Sequence, residues 1–161
     1  MNIRLQSGLH TVEFALVGAL FFILLFAAIE FGRLMFVWNT LDETSRRAAR
    51  VAVVCPVEHS AIRRVAMFAE PTSSGSSPVL RDLNEGLISL QYLTATGSVV
   101  ADTTADFMDI AFVRSEVSGF QHQLIIPFFF QQFELPPFIT VLPRESLGVS
   151  PEGIGCFGTV S

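Results

Sequence analysis

The residues with the chemistry to form a catalytic or metal site are few and scattered. His10, His59 and His122 lie far apart in the chain, and neither a glycine-rich nucleophile turn nor a Walker-type loop accompanies them. Asp102, Asp106 and Asp109 have the spacing of oxygen ligands for calcium. They lack the glycine and terminal glutamate of an EF-hand loop and read better as surface acids flanking a strand. Cys55 and Cys156, with His59 near the first, lack the paired spacing of a zinc site. The sequence therefore predicts no enzyme, no cofactor and no metal. The charges that remain of interest are Glu13, Glu30 and Arg33, which border an apolar run from Phe14 to Ile29.

That run holds no charge, and as a helix rising ~1.5 Å per residue it covers roughly 24 Å, short of a ~30 Å hydrocarbon core. Continuation through the second apolar patch, Leu34 to Trp38, is expected to supply the difference. Glu30 lies off centre, so its cost of roughly 3 kcal/mol is outweighed by the Leu, Ile, Val and Phe before it. Arg33 is placed to pair with Glu30 at i,i+3, where the helix would leave the membrane. Glu13 stands at the opposite mouth of the run, where a basic residue is more usual. A cut after Gly8 would place the new amine of Leu9 one helical turn before Glu13, within reach of its own or a neighbouring copy's carboxylate.

Gly8 followed by Glu13-Phe14 and an apolar helix resembles the class III prepilin signal of type IV pilin-like proteins. With Ile29-Glu30-Phe31-Gly32-Arg33 and Arg46-Arg47-Ala48-Ala49-Arg50-Val51-Ala52 added, the first third of the chain resembles the TadE-like pseudopilins of the tight-adherence (Tad/Flp) pilus system. The resemblance implies a leader over residues 1–8, removed by a prepilin peptidase between Gly8 and Leu9. It implies roles for Glu13 and Phe14 in assembly, and a bacterial inner-membrane protein with its N-terminus cytoplasmic and its C-terminal domain periplasmic. Other Tad pilins, pseudopilins and the assembly platform are the implied partners, and a domain this large implies a minor, tip or initiating subunit. The alternative is an unprocessed single-pass membrane protein with an exported binding or structural domain. A cleaved secretory signal fits poorly, because a cut after Ala28 would put Phe26 where a small residue is expected. A buried core helix fits worse, since the run is apolar on all sides. The arginines conflict with the implied orientation: Arg33, Arg46, Arg47 and Arg50 outnumber Arg4 on the flank assigned outside.

The fold class expected is α+β: a transmembrane and stalk helix over 9–54, then an exported domain over 55–161 with a small antiparallel sheet, as in type IV pilins. Half of the 161 residues are hydrophobic, and the net charge of −5 with a pI of about 5.1 argues against a nucleic-acid partner. Leu41, Ser45, Ala48, Ala49 and Ala52 form a helical stripe, and Cys55-Pro56 ends the helix. A disulfide between Cys55 and Cys156 is open to an exported domain, the geometry being unreadable from sequence. A second helix is expected over Glu58–Ala69, with Arg63 and Arg64 facing solvent, then a loop over Pro71–Pro78. Strands are expected at Ile88–Leu93, Met108–Arg114 and Phe120–Phe130, the last two joined by a hairpin loop over Ser115–Gly119, with Ser98–Ala101 returning after a turn. Pro127 marks an edge or a strand end. The phenylalanines between Leu124 and Phe138 are expected mainly to pack the core, and Pro143–Ser161 to form an irregular tail.

Overall fold

The computed structural model describes residues 7–125, 131–149 and 156–157, with the side chains of 7–9 not described. One helix dominates it: α1, Ser7–Val54. Its composition divides it in two. From His10 to Ile29 the side chains are exposed all round except at Gly18. From Glu30 onward a stripe is buried: Glu30, Val37, Leu41, Thr44, Ser45, Ala48, Ala49 and Ala52 recur at the three- and four-residue steps of one helix face. The small residues in that stripe let a sheet approach closely. Within it Thr44 donates its hydroxyl to the Thr40 carbonyl at 2.8 Å, and Ser45 reaches Thr140 at 2.9 Å.

The sheet that covers the stripe is antiparallel, in the order β1 (Ile88–Leu93), β2 (Phe112–Val117), β5 (Phe138–Pro143). Ile88 faces Val117 across the first pair, and Val117 faces Phe138 across the second. Val113, Ser115 and Val117 alternate inward and are buried, as period-2 geometry requires. A separate two-stranded hairpin pairs β3 (Gln121–Gln123) with β4 (Gln132–Glu134). Two apolar clusters form the core. The lower centres on Leu41, Met67, Leu83 and Val117, the upper on Ala52, Ile62, Tyr92 and Val113.

The α+β class, with a long apolar helix leading into a small antiparallel sheet, is therefore as the sequence indicates. Several details differ. Ser115 to Val117 belong to β2 and not to a hairpin loop, because Ser115 occupies an inward position whose small side chain is fully buried. Phe107–Asp109 is a single turn of 3₁₀ helix, and β3 pairs with β4 instead of β2. The expected second helix is confined to α2, Ala61–Ala66, since Glu58 and Phe68 on either side take left-handed backbone angles. Arg63 and Arg64 do not simply face solvent. Arg63 donates to the Ile88 carbonyl at 3.1 Å, and Arg64 to Glu85 and the Pro71 carbonyl, each at 3.0 Å. Phe138 is buried and meets Trp38 edge-on at 5.0 Å, whereas Phe133 is half-exposed. Pro127 and Phe128 to Phe130 lie outside the described residues.

Beyond β5 the chain closes the top of α1, in part through the cysteine pair that the sequence left open. The last carbonyls of α1 lack helical partners, and residues 145–148 supply them. Leu147 and Gly148 donate their backbone N–H to the Val53 and Val54 carbonyls at 3.0 and 2.8 Å. Cys156 is joined to Cys55, the residue after α1, by a disulfide with Cα atoms 5.4 Å apart.

Candidate functional site at the end of the bare helix

The exposed part of α1, His10–Ile29, measures roughly 30 Å at ~1.5 Å per residue, one hydrocarbon thickness. Its most apolar window has a mean hydropathy of 2.6 and no buried residue, so the helix is long and apolar enough to cross a membrane. Of the Leu34–Trp38 patch, Val37 is buried under the domain and Leu34 packs partly against the core, while Met35, Phe36 and Trp38 are exposed.

Glu30, the first buried residue along the helix, makes the junction. Only 7% of it is exposed, although it is an acid directly after an apolar run. Arg33 donates to both carboxylate oxygens, at 2.7 and 2.9 Å. His122, from β3, reaches Oε1 through Nε2 at 3.0 Å, and the Ile125 backbone N–H donates to Oε2 at 3.2 Å. A carboxylate bonded to a guanidinium has nothing to donate, so His122 carries its hydrogen on Nε2. The cluster thus satisfies a buried charge with one cation and two further donors from another part of the chain. His122 is itself 2% exposed, with Phe133 of β4 packed 5.3 Å from its ring. A cleft of about 400 Å³ opens beside the junction, walled by Arg33, Val37, Arg81 and His122.

The expected Glu30 and Arg33 pair is present, and His122, isolated in the sequence, is a third member of the cluster. A residue 92 positions from Glu30 gives no local signal of partnership. A faint one was available: His122 shares its phase with Phe120 two residues earlier, and a polar side chain on the buried phase of a strand needs a partner.

The other expected site residues lie apart from this junction. Gly8 and Leu9 have helical backbone in the first turn of α1. Glu13 and Phe14 project outward, Phe14 with 79% of its surface exposed, and His10 lies 3.7 Å from the Glu13 carboxylate. Of the stalk arginines, Arg46 pairs with Asp42 at 2.9 Å. Arg47 donates to the Val65 carbonyl and stacks 4.6 Å from the Phe68 ring centre. Among the described residues Arg50 is exposed and makes no ion pair. Asp102 accepts from the backbone N–H groups of Thr104 and Ala105 and so closes its own turn. Those bonds hold its carboxyl below the usual range. No cluster of three or more His, Cys, Asp or Glu able to hold a metal occurs among the described residues.

No curated protein and no solved structure matches the chain. Residues 8–50 match the family described as TadE-like protein, a stretch that holds the bare helix, Glu13, Glu30, Arg33 and the stalk arginines but neither His122 nor the sheet. Over that segment, from the first turn of α1 to Arg50, the chain is similar to the TadE-like family.

Proposed function

We propose that the chain is a minor pilin or pseudopilin of a Tad-type pilus, made as an inner-membrane precursor, cut by a prepilin peptidase between Gly8 and Leu9, and assembled with other pilins through the bare helix. One observation carries this reading. The TadE-like segment contains a bare helix of one hydrocarbon thickness, and that helix continues without a break into a stalk on which a folded domain is fixed.

The Glu30 junction has a mechanical use in such a subunit. A helix that leaves the bilayer for a bundle of subunits must move together with its domain. Arg33 fixes the Glu30 carboxylate on the helix, while His122 and the Ile125 N–H hold it from the domain side, so a pull on either is passed to the other. The disulfide at the far end, Cys55 to Cys156, fits an oxidising compartment and therefore a domain outside the cytoplasm.

The helical backbone at Gly8 and Leu9 favours a second reading, an unprocessed single-pass membrane protein, since proteases act on extended chain. N-terminal sequencing of the mature protein, from cells with an active prepilin peptidase, separates the two. The pilin reading expects Leu9 as the first residue; Met1 there would refute it and leave the unprocessed anchor.

A further inference from the structure

The two edges of the three-stranded sheet are finished differently. The β1 edge is closed: Arg63 donates to the Ile88 carbonyl, Val100 donates its N–H to the Tyr92 carbonyl at 2.8 Å, and Leu93 bridges to Val99. The β5 edge is open. Among the described residues no strand lies beyond Phe138–Pro143, and no backbone group there bonds outside the β2 pairing. An edge strand leaves the N–H and C=O groups of alternate residues free, and these template another strand unless charge, proline or cover prevents it. Here Pro143 blocks only the last position, and Ile139 and Val141 are each 49% exposed on the outer face. On the inner side a groove of about 420 Å³ runs between β5 and α1, walled by Asp42, Arg46, Arg50 and Ile139 to Leu142.

We propose that the β5 edge is a strand-addition site for an extended segment of a different protein, one that alternates apolar with acidic side chains. Backbone pairing along β5 supplies affinity, and the alternation supplies specificity. Side chains of the added strand that point toward α1 meet Arg50, which has no ion pair among the described residues, and Arg46, which shares its charge with Asp42. Those that point outward cover Ile139 and Val141.

A second copy of this chain does not fit. Two β5 edges paired antiparallel are related by a two-fold axis perpendicular to the sheet. Because α1 lies along the face of that sheet, the axis would turn the two helices in opposite directions, and both could not enter one bilayer from the same side. Pairing of β5 with the β1 edge of a following copy keeps the helices parallel but meets the closed edge. The exclusion of the antiparallel pair rests on α1 being a membrane anchor, which holds for both the processed and the unprocessed form.

The probe is a fluorescent six-residue peptide alternating valine and glutamate, added to the detergent-solubilised full chain. Its controls are the lysine-for-glutamate peptide and a backbone N-methylated peptide that cannot pair. The expected result is saturable, salt-sensitive binding of the glutamate peptide alone, weakened about tenfold by Arg50→Glu, an exposed change that leaves the thermal midpoint unmoved. Amide hydrogen exchange should slow at 138–143 and not at 88–93. Equal binding of the lysine or N-methylated peptide, no binding of any, or protection at β1 overturns the proposal. So does concentration-dependent self-association that Ile139→Asp abolishes, which would identify a second copy as the occupant. None of these outcomes depends on whether the mature chain begins at Leu9 or Met1.

Discussion

The lower and upper halves of α1 are one unbroken helix with opposite relations to their surroundings. From His10 to Ile29 almost nothing in the chain touches the helix; from Glu30 to Val54 one face is sealed under the sheet. The difference lies in the side chains and not in the backbone. The lower half is apolar on every side and carries large residues such as Phe21, Phe22 and Leu24, which suits a lipid or a bundle of like helices. The upper half confines its contacts to one stripe built from Ser45, Ala48, Ala49 and Ala52, where a flat sheet can come close. A single helix can thus serve two solvents, provided that the crossing between them is marked. Glu30 marks it.

The largest way to break the upper half while sparing the lower is at the disulfide. Cys156→Ser opens a loop with a sequence separation of 101, which in the chain-entropy account removes about 4 to 5 kcal/mol. Chemical denaturation in detergent should show the domain unfolding at lower denaturant, while the far-ultraviolet signal of the bare helix persists. Glu30→Ala comes next. It leaves the 2% exposed His122 and the Ile125 N–H without their acceptor, a loss of about 3 kcal/mol, discounted because Arg33 remains partly hydrated. Amide hydrogen exchange at β3 and β4 should accelerate, and Glu30→Gln, which keeps an acceptor, should restore part of the protection.

Smaller losses are expected at the top of the domain. Gly148 has φ of +85°, and a Cβ there would lie 2.6 Å from the Pro56 ring, so Gly148→Ala should cost about 1 to 3 kcal/mol in thermal unfolding. The Tyr92 hydroxyl accepts from the Glu58 N–H at 2.9 Å and helps hold Glu58 at φ of +58°. Tyr92→Phe orphans that N–H, for about 1 kcal/mol. Burial also pushes the Tyr92 phenol above its ordinary range, so the folded chain keeps this proton to higher pH than the unfolded chain does. Its contribution to stability is full below the unfolded phenol's pKa of about 10 and declines as pH rises beyond it. Tyr92→Phe should flatten that alkaline decline, measured by denaturant midpoints on both sides of pH 10.

The sequence disclosed the parts whose signals are local. The apolar run, the small-residue stripe of the stalk, the Glu30 and Arg33 spacing and the alternation of Ile88 to Leu93 are all patterns among near neighbours in the chain. The misreadings share the opposite property. Ser115 looks like a loop residue until the stalk it packs against is known. Arg63 and Arg64 look like a solvated pair until the Ile88 and Pro71 carbonyls, supplied by distant turns, come within reach. His122 becomes a partner of Glu30 only when β3 is folded against the helix. Long-range polar pairing leaves no period in the chain, and the junction was legible from one side only.

The smallest effect on folding is expected where the proposed function needs the largest effect on assembly. Glu13 is exposed, lies 3.7 Å from His10 and far below the domain, so Glu13→Ala should leave the thermal midpoint of the solubilised chain unchanged. Its carboxylate is tolerable at the mouth of the bare helix, near water. In a bundle of helices it would be enclosed, and an enclosed carboxylate requires a cation. On the proposed reading the freed amine of Leu9, from the same or a neighbouring subunit, is the cation that processing would create, and only a subunit in the correct register would place it there. Glu13→Ala should therefore insert and be cut after Gly8 as usual, yet co-purify poorly with partner pilins. Replacement of Gly8 by a bulky residue should block the cut itself. Co-purification at the normal level by Glu13→Ala would reduce the carboxylate to a helix-start residue favoured by the dipole, and the two halves of α1 would then differ in cover alone.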